Sequence, residues 1–291
     1  MTGQLTYAYA VLHANAAPRP RALAAVRGVA QAPVTMVTSG SLAAAVSAVP
    51  EEAFSQAALQ VRLEDLGWLE ATARAHHLVV DTLAARTSVL PLRLATVYLD
   101  DDRVREMLHA HEAAFNASLD RLADHVEWGV KIYAEAPPTP RPPDASADAS
   151  ADASVDDAAP GRAYLRHRRH QRQTREDAGR VAREAVRRTE QQARELAVEH
   201  ARHRPEQGPL TRATEAEGAA AQETSRKTSR TPPGENVAND AYLVPRRLSD
   251  EFRDRVAHAA DDLPGIRVEI TGPWAPYSFA VLPARPEARH R

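Results

Sequence analysis

The sequence predicts an α+β fold in two domains, one of them a ferredoxin-like split β-α-β unit with a long helix and disordered linkers inserted into it. Three observations lead there. Apolar residues alternate in short runs and recur at three- and four-residue spacing in longer ones, in a β-α-β order that appears twice. The two halves of this pattern lie on either side of residues 137–239. That intervening stretch is Pro-rich, then built of small acidic repeats, then rich in Arg and Glu, with few core formers.

Composition sets outer limits. Among 291 residues, 37 Lys and Arg face 39 Asp and Glu, a net charge of −2. This balance argues against a protein held on nucleic acid by bulk charge. With no cysteine, disulfides, cysteine metal sites and cysteine nucleophiles are excluded. Hydrophobic residues make up 43%, but 58 alanines supply nearly half of them. Part of the chain therefore has little to bury. Met1–Leu12 has no basic flank before an apolar run, so no signal peptide is expected. The longest uncharged stretch, Gly28–Pro50, is broken by Gln31, Pro33, Thr35 and Ser39-Gly40. It reads as two short buried strands or a strand–helix pair, not a membrane span. The expected setting is cytoplasmic, with no membrane contact.

Residues 1–86 read as an N-terminal α/β module. Tyr7, Tyr9 and Val11 share one face of a strand, and Leu66, Leu69, Ala73, His76 or His77, Val80 and Leu83 follow helical spacing. Residues 87–136 read as the first half of the ferredoxin-like domain. Leu90–Leu99 is its opening strand. Val104, Leu108, His111, Phe115, Leu119 and Leu122 form a helical stripe, and Asp100, Asp101 and Asp102 suit its positive N-terminal end. Trp128, Val130 and Ile132 then alternate with Lys131 and Tyr133 in a strand.

Residues 137–160 are a disordered linker, with prolines followed by Asp-Ala-Ser-Ala repeats. Residues 161–204 are a charged helix, supported by four-apart pairs such as Arg172–Glu176 and Glu190–Arg194 at about 0.2–0.5 kcal/mol each. Its large apolar residues are few, so it is expected on a domain surface or against a partner helix. Residues 205–239 are a second disordered linker. Residues 240–282 complete the ferredoxin-like domain. Ala241–Val244 is a strand, Ser249 offers an N-cap, Phe252, Val256 and Leu263 form a helix stripe, and Ile266, Val268 and Ile270 alternate. Residues 283–291 are a frayed tail.

Little of this carries reaction chemistry. There is no phosphate-binding Gly loop and no G-x-S-x-G elbow, so neither an enzyme nor a cofactor is expected. His109, His111 and Glu112 lack the spacing that puts two metal ligands on one helix face, and His76-His77 point apart. Asp100–Asp102 are expected to cap a helix. Arg162, Arg166, Arg168, Arg169, Arg172 and Arg175 concentrate positive charge. Either the acidic repeat screens them, or they equip a ferredoxin-like regulatory or RNA-binding module. The strands lack the paired aromatics of an RNA-binding sheet, so nucleic acid is not the expected partner.

Five segments occur in an order that resembles the gas vesicle protein F/L family. They are Leu90–Tyr98, Glu127-Trp-Gly-Val-Lys131, Gly161-Arg-Ala-Tyr-Leu165, Ala241-Tyr-Leu-Val244 and Ile270–Phe279. The last, with Gly272, Pro273, Trp274, Pro276 and Tyr277, is the most specific. Two departures stand out: Leu94-Ala95 replaces a usual Phe-Gly, and Ala275 replaces a usual Pro. The resemblance implies a non-enzymatic accessory protein of gas vesicle formation. Such a protein would bind the hydrophobic shell subunit and other accessory proteins, and remain as a minor component on the gas-facing surface. Trp274, Tyr277, Phe279, Lys131 and Arg93 are the candidate partner-binding residues, since aromatics held by rigid prolines make good anchors. The alternative for Trp274 and Tyr277 is that they cover the protein's own core.

Overall fold

The computed structural model of the chain describes residues 3–135, 159–205 and 234–280. Most of both expected linkers, and the tail 283–291, lie outside the described residues.

Tyr7, Tyr9 and Val11 lie in strand β1 (Gln4–His13), which is buried on both faces rather than one. Tyr7, Tyr9 and Leu12 enter one core with Leu23, from α1 (Pro20–Leu23), and with Phe54, Val80 and Leu83. Ala8 and Val11 enter a second core with Val104, Leu108, Phe115 and Leu119. The uncharged stretch forms two strands, β2 (Thr35–Ser39) and β3 (Leu42–Pro50). Their turn passes through Gly40 at φ 57°, a left-handed conformation that glycine adopts without steric cost. β3 runs antiparallel to β1.

Helices α2 (Glu51–Phe54), α3 (Gln56–Arg62) and α4 (Leu66–Ala84) follow. Asp65 caps α4, its Oδ1 accepting from the Gly67 and Trp68 amides at 3.0 and 3.2 Å. Ala73, Val80 and Leu83 are buried as their spacing predicts, and both His76 and His77 are buried where one was expected, but Leu69 is half-buried and Leu66 exposed.

Leu90–Leu99 does not open the second unit. It forms two short strands, β4 (Leu90–Pro91) and β5 (Val97–Tyr98), both antiparallel to β1. The first sheet thus runs β2-β3-β1-β4, with β5 also on β1, and the expected boundary at residue 86 does not divide it. The physical reason is the second edge of β1, whose polar groups need partners. Leu92 N donates to Tyr9 O at 2.8 Å and Ala8 N to Thr96 O at 2.9 Å, while Leu90 and Leu92 are buried.

Between β4 and β5 the chain turns through Ala95 at φ 60°. This is the position where the resembled family has Gly. A Cβ in this region costs about 1–2 kcal/mol, partly offset by the extra unfolded-state freedom of glycine. Ala95→Gly is therefore expected to stabilise the protein by roughly 0.5–1 kcal/mol, read as a higher urea midpoint at constant m value. An unchanged or lower midpoint would contradict the strain.

The predicted apolar stripe is intact but divided at His111 into α5 (Asp101–Ala110) and α6 (Glu112–Leu122). Asp100 caps α5 through the Arg103 amide at 2.8 Å. These helices pack on the first sheet, not in a second unit of their own, and in the same core they meet Ala241 and Leu243.

The second sheet holds β6 (His125–Ala134), β7 (Glu199–Arg202), β8 (Glu235–Pro245) and β9 (Ile266–Trp274). Its order is β7-β8-β6-β9, every neighbour antiparallel. Val130 lies opposite Ile270 and Ile132 opposite Val268, so the two distant alternating segments share one sheet. Two helices cover its outer face, α7 (Ala159–Leu196) between β6 and β7 and α8 (Ser249–Ala257) between β8 and β9.

Three expectations change here. The charged helix is not a surface insertion. Its C-terminal half enters the core through Ala182, Ala185, Ala193 and Leu196, small side chains that let the helix lie close to the sheet. Second, Glu235–Asn239, expected as linker, already belong to β8. Third, Ser249 makes no capping hydrogen bond. Its hydroxyl instead accepts from Trp128 Nε1 at 2.9 Å, because a buried indole N–H needs a partner. From one side to the other the layers are α4, first sheet, α5–α6, second sheet, and α7 with α8.

Candidate functional site

The most specific sequence motif, Ile270–Phe279, leaves the end of β9 and runs to the first sheet. Gly272 sits at φ 129°, and a Cβ there would lie 2.9 Å from Glu127 O and 3.0 Å from the Trp128 ring. A side chain is thus excluded both by conformation and by space. Ala275 then enters the core beneath α4, and Tyr277 packs at its edge. The Tyr277 ring centroid is 5.2 Å from that of His77 and 6.3 Å from that of His76. Two residues on, Phe279 is 6% exposed and lies in the other core, with Leu119, Leu122 and Leu243. One short turn therefore fills both faces of the first sheet and touches the second.

Polar groups fix this strap. The Glu127 carboxylate accepts from the Ser278 amide at 2.7 Å and from the Ser278 hydroxyl at 2.6 Å. His203 Nε2 lies 3.1 Å from the same hydroxyl. Arg121 donates to Phe279 O at 2.6 Å and pairs with Glu199 on β7. Burial pushes the Glu127 carboxyl up to about 7, although both Ser278 hydrogen bonds favour its ionised form.

Beneath Tyr277 lies a closed aromatic cluster. The Tyr7 hydroxyl accepts from the Ala95 amide at 3.0 Å and is 3.0 Å from His76 Nδ1. Burial, with His77 alongside, pushes His76 down to about 3. His76 is thus a neutral imidazole able to accept the Tyr7 proton. Burial also raises Tyr7 and Tyr9. These groups carry packing and orientation, not acid–base chemistry near neutrality.

The predicted residues divide as follows. Phe279 is spent inside the protein, and Tyr277 packs against the His76–His77 pair. Trp274 is half-buried at the end of β9, opposite Glu127. Arg93 is exposed on the β4–β5 loop, which the Ala95–Tyr7 bond ties to the same cluster. Lys131 stands apart, further along β6 and opposite Glu269. Residue-level reasoning missed Glu127, Ser278, Arg121 and His203 as the fastening of the strap. A signal existed, since Glu127 and Ser278 both fall within the motifs that carry the family resemblance. The remaining candidates have structural roles. Glu112 accepts from the Ser41 amide and hydroxyl at 3.0 and 2.7 Å, holding the β2–β3 turn, and His111 packs edge-on against Phe115.

Comparison with known proteins agrees with this architecture. The family model "Gas vesicle synthesis protein GvpL/GvpF" matches residues 5–281. The curated gas vesicle protein L of Streptomyces sp. (strain CB03234) is 38% identical over 279 residues, covering 96% of this chain and 94% of its own. Gas vesicle protein F of the same organism is 31% identical over 126 residues, 43% of this chain and 47% of its own. Crystal structures of GvpF from Anabaena sp. PCC7120 and from Microcystis aeruginosa share the fold. The first superposes with a TM-score of 0.58 at 16% identity, over 97% of this chain and 98% of that one. The second superposes with a TM-score of 0.58 at 17% identity, over 96% and 99%. A family match spanning nearly the whole chain, together with a full-length relative at this identity, means that the chain belongs to the gas vesicle GvpL/GvpF family.

Proposed function

We propose that this protein is a non-enzymatic accessory factor of gas vesicle assembly, one that holds the apolar shell subunit in the cytoplasm until it polymerises. Other accessory proteins of the same system join it, and a minor share stays with the vesicle on its gas-facing side. The observation that carries this reading is the family match over residues 5–281. Physically, the role is to cover apolar faces that would otherwise aggregate indiscriminately. Among the predicted contact residues, Arg93 is exposed and Trp274 and Lys131 are half-buried. Trp274, at the end of edge strand β9, is the expected anchor.

We also read the second sheet with α7 and α8 as a ferredoxin-like domain beside a first domain that extends to Leu122. The β-α-β-β-α-β order and the strand order β7-β8-β6-β9 support that reading. The RNA-binding alternative is less well supported. Tyr133, on the sheet face away from α7, already carries the Arg267 guanidinium 4.1 Å from its ring centroid.

The test is light scattering of shell subunit diluted from denaturant. Equimolar full-length protein should suppress the signal, and Trp274→Ala should weaken suppression while leaving the melting temperature near that of the wild type. Identical scattering with and without the protein would remove the proposed role.

A further inference from the structure

Strand β9 ends the second sheet, whose order β7-β8-β6-β9 leaves its far side without a strand among the described residues. The phase of its hydrogen bonds is fixed. Glu135 N donates to Gly265 O at 2.8 Å, in the same register that sets Ile132 opposite Val268 and Val130 opposite Ile270. Directly opposed residues of an antiparallel pair alternate between exchanging both main-chain bonds and exchanging none. Gly265, Arg267 and Glu269 therefore bond inward to β6. The N–H and C=O groups of Ile266, Val268 and Ile270 point outward, and such a row is a template for another strand. No described residue pairs with it.

The open run has clear ends. Pro264 has no N–H to offer, and the chain leaves the extended conformation at Gly272, φ 129°. Edge strands are commonly blunted by charge. β9 carries Arg267 and Glu269, 44% and 45% exposed and 2.9 Å apart, and these guard poorly against a copy of themselves. An antiparallel strand related by a two-fold axis at Val268 sets Val268 opposite Val268 and Ile266 opposite Ile270. It also sets Arg267 opposite Glu269 on both sides of the axis, where cross-strand Cβ atoms lie about 4.5–5.5 Å apart. Moving the axis to Ile266 or Ile270 brings Pro264 or Gly272 into the ladder. An axis at Arg267 or Glu269 meets main-chain groups that β6 already uses.

We propose that two copies of this chain pair through β9, antiparallel about Val268, so that their two second sheets become one. Ile266, Val268 and Ile270 then exchange both main-chain bonds across the axis. These three side chains, half-buried against α7 and α8, gain a neighbour on their open side. The Arg267–Glu269 pairs of the two copies join in a cluster of alternating sign. The contact is isologous, so it stops at the dimer. Trp274 lies beyond the paired run, and the inference stands apart from the proposed role with the shell subunit.

The experiment is sedimentation velocity of the full chain across a concentration series. The wild type should pass from monomer to dimer and no further. Glu269→Arg and Arg267→Glu each set like charges opposite one another on both sides of the axis. Each alone should dimerise more weakly by roughly tenfold or more, with a melting temperature near that of the wild type. Their equimolar mixture should recover the wild-type affinity as a heterodimer, because one strand then carries two positive charges and the other two negative. Val268→Pro removes the central outward N–H without breaking a bond to β6 and should be monomeric.

A wild type that stays monomeric at the highest soluble concentration overturns the proposal. So does a dimer that the reversals and Val268→Pro leave intact, or a mixture no tighter than its components. A monomeric wild type whose capture of shell subunit is lost on Val268→Pro would give the edge to that partner instead, and also overturns it. Should a variant fail to fold, hydrogen exchange of the wild-type Val268 amide decides. It should slow as concentration rises, and a rate independent of concentration counts against the pairing.

Discussion

Phe279→Ala is expected to destabilise the protein by about 3–5 kcal/mol, the range for removing a fully packed phenylalanine. The ring fills the core shared by α5–α6, the first sheet and Leu243 of the second. Its backbone oxygen also holds Arg121, so little can move in to fill the space. In a chain of this size the melting temperature should fall by roughly 10 °C. Leu99→Ala is the comparison, since Leu99 is 67% exposed and should change stability by less than about 0.5 kcal/mol. Equal effects at the two positions would mean that Phe279 faces outward in solution.

The second large effect concerns Glu127 and pH. Its carboxyl titrates near 7 in the folded protein and near 4.5 when unfolded. Between these values the folded state keeps a proton that the unfolded state has released. Stability contributed by this group is therefore full below about pH 4.5 and declines as pH rises to about 7. A displacement of that size corresponds to about 3 kcal/mol. Glu127→Gln keeps an oxygen for the Ser278 amide and offers its own N–H to the Ser278 hydroxyl, but does not titrate. The variant should match the wild type near pH 4.5 and exceed it by about 2–3 kcal/mol at pH 8. Glu127→Ala should lose about 1–3 kcal/mol even in acid, because the half-buried Ser278 amide loses its acceptor. Parallel pH profiles for wild type and Glu127→Gln would show that burial does not raise this group.

What the sequence revealed depended on side-chain size and period. The Val104–Leu122 stripe and the alternation of Val130 and Ile132 with Ile270 and Val268 were legible because large apolar residues recur at one spacing. α7 misled because its described buried positions, Leu196 apart, are Ala182, Ala185, Thr189 and Ala193, side chains too small to stand out as core. Close approach of a helix to a sheet demands such residues, so the scarcity of Leu and Ile said nothing about burial. Leu90–Leu99 read correctly as extended chain. Its home on β1 was illegible because the need arises from the open edge of a strand far away in sequence. Glu127 shares a strand face with the half-buried Lys131, and its burial was illegible because the strap that roofs that end of the face comes from 151 residues further along the chain.

The strap also changes how the family motif is understood. Its aromatics were candidates for capturing a partner, but Tyr277 packs on the His76–His77 pair and Phe279 joins the first sheet to Leu243 of the second. That leaves Trp274 as the proposed contact. A variant that loses shell binding through Phe279 would accordingly lose stability too, whereas one that acts through Trp274 would not.

Native-state hydrogen exchange at the Val11 amide in β1 and the Val130 amide in β6 addresses the stapling most directly. The two should open with the same free energy in the wild type, and Phe279→Ala should lower both by the same amount. If Val11 and Val130 open independently, or if only one responds to the substitution, the sheets are not joined through the Trp274–Ala280 strap.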